Sequence, residues 1–214
     1  MSDSKRWLQE HFRDPYVKKA QKEGYLSRAA YKLLEIQEKD RILRTGMVVV
    51  DLGAAPGGWS QVAGEIVGKN GCIIAVDLLP MTPIAGVEFI QGDFNDPEIY
   101  SLLLQTVRER KGDEMVDLVL SDMAPNLSGQ KTIDQARSLH LVELAWHCAL
   151  NILKPGGSLL FKIFQGPGVD DLFKELRTHF KNVKIRKPKS SRARSSEVYI
   201  LANGFLRYNK DSTT

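Results

Sequence analysis

From residue 47 onward the chain alternates short apolar, β-branched runs with longer stretches whose apolar residues recur every three or four positions. That alternation is the pattern of βαβ units and a parallel sheet. It predicts strands near 47–51 (MVVVD), 72–77 (CIIAVD), 87–91 (VEFIQ), 115–121 (MVDLVLS) and 157–163 (GSLLFKI), with helices over 58–67, 97–110, 131–153 and 169–180. Asp170 and Asp171 stand in the first turn of the last helix, where its dipole favours them, and Lys154-Pro155-Gly156-Gly157 stops the helix before it. Two more strands, near 182–187 and 196–203, have no crossover helix between them, so an antiparallel hairpin at one sheet edge is expected. Residues 5–40 carry two helical segments rich in charge and aromatics. The expected architecture is therefore α/β, a seven-stranded mostly parallel sheet with one antiparallel strand and helices on both faces.

At 214 residues the chain can bury one substantial core, and a single domain over 1–208 is expected: a helical extension over 1–45, a core over 46–204, and a disordered tail at 209–214. No apolar run approaches 18 residues and the first residues lack the apolar region of a signal peptide, so a soluble, cytoplasmic protein is expected. Cys72 and Cys148 lack the paired spacing of a zinc or redox site and read as two buried thiols, with no metal implied. Nothing in the sequence demands a dimer.

Charge changes the picture once it is located. The segment 181–194, KNVKIRKPKSSRAR, holds seven basic residues and no acid, whereas the other 200 residues carry 23 basic and 26 acidic groups. The net charge of +4 thus comes from one segment, a cluster suited to a polyanion, and Lys187, Lys189, Arg192 and Arg194 are its candidate contacts to such a partner.

The candidate chemistry lies at the strand ends. Four successive strands run into an aspartate, at Asp51, Asp77, Asp93 and Asp122, and in an open parallel sheet these positions share the edge where ligands bind. A lone aspartate there is commonly a turn former; four beside a glycine-rich turn are a stronger signal. That turn, Asp51-Leu-Gly-Ala-Ala-Pro-Gly-Gly-Trp59, lacks the dinucleotide spacing and the phosphate-loop lysine, and Pro56 removes an amide that could hold phosphate. A nucleoside without phosphates fits better. Gly53, Gly57 and Gly58 would admit its close approach, Asp77 would accept from ribose hydroxyls, Asp93 would suit an adenine amino group, and Trp59 would pack either on the ligand or in the core.

The fifth strand carries a cation instead. Lys162 interrupts an apolar strand, and a lysine there needs a carboxylate unless it snorkels to solvent. Asp122 is the first candidate partner and Glu197, at the start of the antiparallel last strand, the second. In Ser27–Ile36, Ala29, Leu33 and Ile36 share a helical stripe with Lys32 on its flank; taken alone, Lys32 reads as a surface lysine.

Together the motifs RWLQEHF (6–12), SRAAYKL (27–33), DLGAAPGGWSQ (51–61), DLLPM (77–81), QGDF (91–94), SDMAPN (121–126), KPGGS (154–158), FKIFQG (161–166) and SSRARSSEVYI (190–200) resemble the FtsJ/RrmJ family, heat-shock-associated methyltransferases of the bacterial large ribosomal subunit. The likeness runs from about Arg6 to Ala202. It implies a Rossmann-like class I methyltransferase fold, S-adenosylmethionine as cofactor, and methylation of a uridine ribose 2′-hydroxyl in 23S rRNA, with the assembled large subunit as preferred substrate. It places a catalytic set on Lys32, Asp122, Lys162 and Glu197, and cofactor contacts on Gly57, Trp59, Asp77, Asp93 and Asp122. Lys162 would take the proton of the attacking hydroxyl, for which it must be a neutral amine. A second ammonium at Lys32 favours that form and the two carboxylates oppose it, so a charged Lys162 that only steers the hydroxyl stays open. Competing readings are a Rossmann dehydrogenase, a cofactor-free RNA-binding or ribosome-assembly factor, and the same enzyme acting on transfer RNA or a messenger cap. The stretch 107–113 and the tail from Phe205 depart from the family as known.

Overall fold

The computed structural model describes residues 14–112, 115–192 and 195–207. The motif at 6–12, Arg194 and the tail at 209–214 lie outside the described residues. In chain order the elements are α1 (Pro15–Glu23), α2 (Ala30–Asp40), β1 (Val48–Leu52), α3 (Gly58–Val67), β2 (Cys72–Asp77), β3 (Val87–Gln91), α4 (Pro97–Lys111), β4 (Val116–Ser121), α5 (Lys131–Ile152), β5 (Leu153–Phe164), α6 (Val169–His179), β6 (Phe180–Arg186) and β7 (Glu197–Phe205).

The strands form one seven-stranded sheet in the order β3-β2-β1-β4-β5-β7-β6. Strands β1 to β5 pair in parallel, and β7 runs antiparallel to both β5 and β6. The expected α/β sheet with one antiparallel strand is the observed one, the hairpin placing β7 inside and β6 at the edge. Most boundaries shift by one to four residues, and β1 and β5 show how. Strand β1 continues one residue past Asp51, and β5 is counted from Leu153, which pairs with Val116 before residues 154–157 bulge out and Ser158 meets Leu118. Gly156, at φ +81°, supplies the left-handed residue that this bulge needs.

Strand alternation sorts the core into two layers. Val48, Val50 and Leu52 of β1 pack with Leu103 of α4, Trp146 of α5 and Leu176 of α6. Val49, with Leu118, Leu160, Tyr199 and Leu201, faces α2 and α3 through Leu33, Ile36, Trp59 and Val62. Both faces of β1 are covered, which is why its sequence is an unbroken apolar run up to Asp51.

The order reverses between β1 and β4, so a crevice opens outside their carboxyl ends at the switch point. The N-terminal helices are fastened beside it. Asp14 caps α1 by accepting from the Tyr16 amide at 2.9 Å, and Pro15 follows at the first helical position. From α3, Trp59 Nε1 donates to the Ala29 carbonyl (2.9 Å), while Gln61 accepts from the Leu26 amide (3.0 Å) and donates to the Gly24 carbonyl (3.0 Å). A Cβ on Gly58 would stand 2.3 Å from Ser27 Oγ. That glycine, expected against a ligand, lets the N-terminal connection lie directly on α3.

Candidate active site

Lys162 lies on the face of β5 covered by α2, opposite Tyr199 of β7. It is 7% exposed, so it does not snorkel to solvent. Its Nζ stands 3.0 Å from Asp122 Oδ1 and also donates to the Asp122 carbonyl oxygen. The expected first partner is thus the observed one, set in place because Asp122 immediately follows β4, the neighbour of β5. Two of the three ammonium hydrogens are engaged on Asp122, leaving one direction for a further partner.

Lys32 departs from its reading as a surface residue. Helix α2 begins at Ala30, not at Ser27, and lays Leu33 and Ile36 on the sheet, which brings Lys32 down to 6% exposure. Its Nζ is 2.8 Å from Glu197 Oε1 and 4.0 Å from Asp122 Oδ1. Glu197, the second candidate for Lys162, is instead the partner of Lys32. Two cations and two anions therefore alternate in one cluster assembled from α2, the end of β4, β5 and β7.

Tyr199 completes the cluster and was not singled out by sequence. Its hydroxyl donates to Asp122 Oδ1 at 2.7 Å and lies 3.5 Å from Glu197 Oε1. The available signal was its position two residues after Glu197, on the same face of one strand. Burial would push the Asp122 carboxyl up, but the charges of Lys162 and Lys32 and the Tyr199 hydrogen bond outweigh it and hold it below the usual range. In Glu197, burial is likewise overcome by the charge and hydrogen bond of Lys32. Burial first, then Asp122 and Glu197, drive Tyr199 well above its ordinary value, so it stays a donor.

On the other side of the crevice, a cavity of about 180 Å³ is lined by Asp51, Gly53, Ala54, Trp59, Asp122 and Arg28, among others. Asp51 is buried; its Oδ2 accepts from Ser60 Oγ at 2.7 Å, while Oδ1 has no hydrogen-bond partner. Burial pushes its carboxyl up to about 7 against the pull of Ser60, with Asp122 and Asp77 adding in the same sense. Asp77 accepts from the amides of Ala55 and Leu79, both at 2.8 Å, and so ties the glycine-rich turn to the end of β2. Asp93 is exposed and accepts from the amide and side chain of Asn95. Trp59 is 2% exposed, bonded to Ala29 and packed against Tyr199 with ring centroids 5.6 Å apart and planes tilted by 37°, and it meets the cavity only as part of a core wall. Cβ atoms at Gly53 and Gly57 would strike Met123 Cγ (2.1 Å) and Ile84 Cδ1 (2.6 Å), so both glycines accommodate neighbouring side chains as well as left-handed turns.

The basic segment is only partly free. Lys187, exposed like Lys189, has its Nζ engaged on the carbonyls of Ser195 and Glu197, Arg192 approaches Asp14 at 3.7 Å, and Arg186 grips Asp40 through two bonds of 2.5 and 2.6 Å. Lys189 is exposed. A larger cavity of about 460 Å³ lies between this segment and α2, lined by Glu35, Lys39, Ile185 and Lys189 among others, and it contains none of the clustered lysine–carboxylate residues.

A family model described as FtsJ-like methyltransferase matches residues 25–205, the span that carries the whole cluster. The chain belongs to this family. It is 60% identical over 210 residues to the ribosomal RNA large subunit methyltransferase E of Coxiella burnetii, covering 98% of this chain and 99% of that protein. To the protein of the same description from Pseudomonas aeruginosa it is 58% identical over 202 residues, 94% of this chain and 96% of the relative. Among solved structures, one from Plasmodium falciparum described as a ribosomal RNA methyltransferase superposes with a TM-score of 0.74 at 33% identity, covering 85% of this chain and 99% of that one. The FtsJ-like fold and the crevice at the switch point thus agree. Among the described residues no group of His, Cys, Asp and Glu is arranged to hold a metal, and no helix is long and apolar enough to cross a membrane.

Proposed function

We propose that this methyltransferase transfers the methyl group of S-adenosylmethionine to a uridine ribose 2′-hydroxyl of 23S rRNA, in the large ribosomal subunit, as a cytoplasmic step late in its assembly. The observation that carries the reading is a buried lysine, Lys162, held on Asp122 with a second ammonium, Lys32, close by at the rim of the crevice. The descriptions of the relatives, both ribosomal RNA methyltransferases, supply the substrate class.

The residues present suit the cofactor. Asp51 offers a buried carboxyl oxygen without a hydrogen-bond partner, beside glycines at positions 53 and 58 that line the same cavity. The cavity is smaller than the roughly 300 Å³ at which ligand pockets begin. The ends of β2 and β3, with Asp77 and Asp93, continue the same rim and would take the ribose and adenine, while Asp51, Gly57, Gly58, Trp59 and Asp122 would bound the remainder. When bound, the cofactor supplies a sulfonium methyl already activated for transfer.

The protein's task is then alignment and one proton. A ribose hydroxyl entering beside Asp122 would meet the Lys162 nitrogen along the one direction not engaged on Asp122. As the oxygen attacks, Lys162 accepts its proton, and Asp122, anchored by Tyr199, steadies the ammonium that forms. Lys32 holds Glu197 and keeps a second positive charge beside Lys162 and Asp122. Lys189 and Arg192 would receive RNA phosphates next to the site, and Lys187 and Arg194 are the further candidates of the same basic run.

The test is a map of 2′-O-methylation on ribosomes from cells lacking this protein, followed by treatment of those subunits with purified protein and cofactor. One 23S ribose should lose its methyl group and regain it in vitro. An unchanged map, or methyl groups appearing only on transfer RNA, would overturn the assignment.

A further inference from the structure

The segment joining β6 to β7 is bonded to the N-terminal helices immediately before it delivers Glu197. Glu35 of α2 accepts the amide of Lys189 on one carboxylate oxygen (2.5 Å) and the amide of Ser190 on the other (2.9 Å). The Ser190 carbonyl accepts from the Arg28 guanidinium, whose Nε lies 3.0 Å from Asp14. Ser191, next in line and buried, turns its hydroxyl to Glu197 Oε1 at 2.8 Å. This is the oxygen that Lys32 also holds at 2.8 Å.

A buried serine in a loop commonly bonds its own backbone two or three residues away. Ser191 instead reaches six residues along the chain to one oxygen of a carboxylate in the ionic cluster. With Lys32 and Ser191 both on Oε1, the last torsion of Glu197, ordinarily broad and soft, is fixed from two sides. Freed of the hydroxyl, that carboxylate could swing toward Lys162, because Phe164 is the cross-strand partner of Glu197 and Lys162 is the diagonal neighbour. An anion moved there would favour the charged form of the very amine that must take a proton.

We propose that Ser191 is a positioning residue for methyl transfer: it pins Glu197 on Lys32 and away from Lys162, with Glu35 holding the segment at the correct height. The inference rests on the reading of Lys32, Asp122, Lys162 and Glu197 as the reacting cluster.

The experiment measures kcat, KM and pH dependence on unmodified large subunits for Ser191→Ala, Ser191→Thr and Glu35→Gln, with Lys162→Ala as reference and thermal melting of each variant. Loss of one hydrogen bond to a charged group, with others remaining, is expected to lower kcat about tenfold in Ser191→Ala. KM for both substrates should stay within about twofold, and the rising limb of kcat against pH should move to higher pH. Threonine should restore most of the rate, and Glu35→Gln should show a smaller shift in the same sense. If the alanine variant does not fold, Ser191→Cys, a weak donor of similar size, takes its place beside threonine. The proposal is overturned by a parental kcat and pH profile in Ser191→Ala, or by a raised KM for RNA at unchanged kcat. With Lys162→Ala inactive, either result removes Ser191 alone; with Lys162→Ala fully active, the reading of the cluster fails first.

Discussion

Asp51 and Asp122 stand at the ends of neighbouring strands on one rim, β1 and β4, both withdrawn from water, yet their carboxyls are shifted in opposite directions. Asp122 has two ammonium groups and a phenol around it; Asp51 has one serine hydroxyl and a bare oxygen. Burial raises both, more completely for Asp51 than for half-buried Asp122, and the two ammonium groups and the phenol reverse its effect at Asp122 only. One half of the crevice is complete in its charges, as the proposed proton transfer requires. The other is left short of one hydrogen-bond partner, which a polar ligand group would supply. On the function proposed above, the preorganised side would handle the proton and the unmet demand would be answered by the cofactor.

The strongest way to break this contrast is at Lys162. Replacing it by alanine is expected to lower kcat by about 10² to 10⁴, the usual contribution of a positioned base. Cofactor affinity, measured by calorimetry, should hardly change. Lys162→Arg sharpens the point, because a guanidinium keeps its charge and cannot serve as a base. It should be as slow as alanine if the amine takes the proton, and substantially faster if position 162 only steers. Parental rates in both variants would leave the complete half of the crevice without chemistry.

At Asp51 the expected effect is on stability first. The folded carboxyl keeps its proton up to about 7, whereas the unfolded chain releases it near 4. Between these values the native state binds more protons, so the contribution of the carboxyl is whole below about pH 4, declines as pH rises and is gone above about 7. Asp51→Asn should therefore outlast the parent increasingly from pH 5 to 8, by a few kcal/mol at the upper end. That corresponds to roughly 5–10 °C in a chain of this size, read by thermal melting. The same variant should bind cofactor more weakly. A melting difference independent of pH would mean that Asp51 is ionised throughout.

Tyr199→Phe removes the phenol from Asp122 and leaves both lysines. A hydrogen bond to a charged acceptor is worth about 1.5–3 kcal/mol, and with other donors in place a loss of about fivefold to tenfold in kcat is expected. An unchanged rate would show that the lysines alone hold Asp122.

How much of this was legible follows from the range of the forces involved. Strand and helix positions were readable because apolar periodicity is local, and the Lys162–Asp122 pairing because adjacent parallel strands deliver their ends to one rim. Lys32 was not readable from its helix: its burial depends on how α2 is tilted onto β7, which Gly58, Gln61 and Trp59 set from a different part of the chain. Tyr199 was hidden for the opposite reason, since an apolar strand readily accepts a tyrosine and only the cluster gives its hydroxyl a task. The basic segment misled in one respect. Counting charges treated Lys187 and Lys189 alike, and the backbone carbonyls that Lys187 meets cannot be seen in a composition.

That asymmetry gives the smallest and most selective prediction. Each phosphate of a single-stranded target that a side chain neutralises adds about 0.7 to the steepness of log affinity against log salt. Lys189, exposed, should neutralise close to one phosphate, so Lys189→Ala is expected to flatten the slope by about that amount and weaken RNA binding a few-fold at moderate salt. Lys187, its ammonium held by Ser195 and Glu197, should contribute much less to the slope. Because Lys187 grips the backbone at the start of β7, its replacement should instead lower kcat modestly with little change in RNA affinity. Filter binding of both variants over a salt series, paired with turnover, separates the two. Equal slopes for Lys187→Ala and Lys189→Ala would show that both side chains reach phosphate, and the carbonyl bonds of Lys187 would then be the ones that RNA displaces.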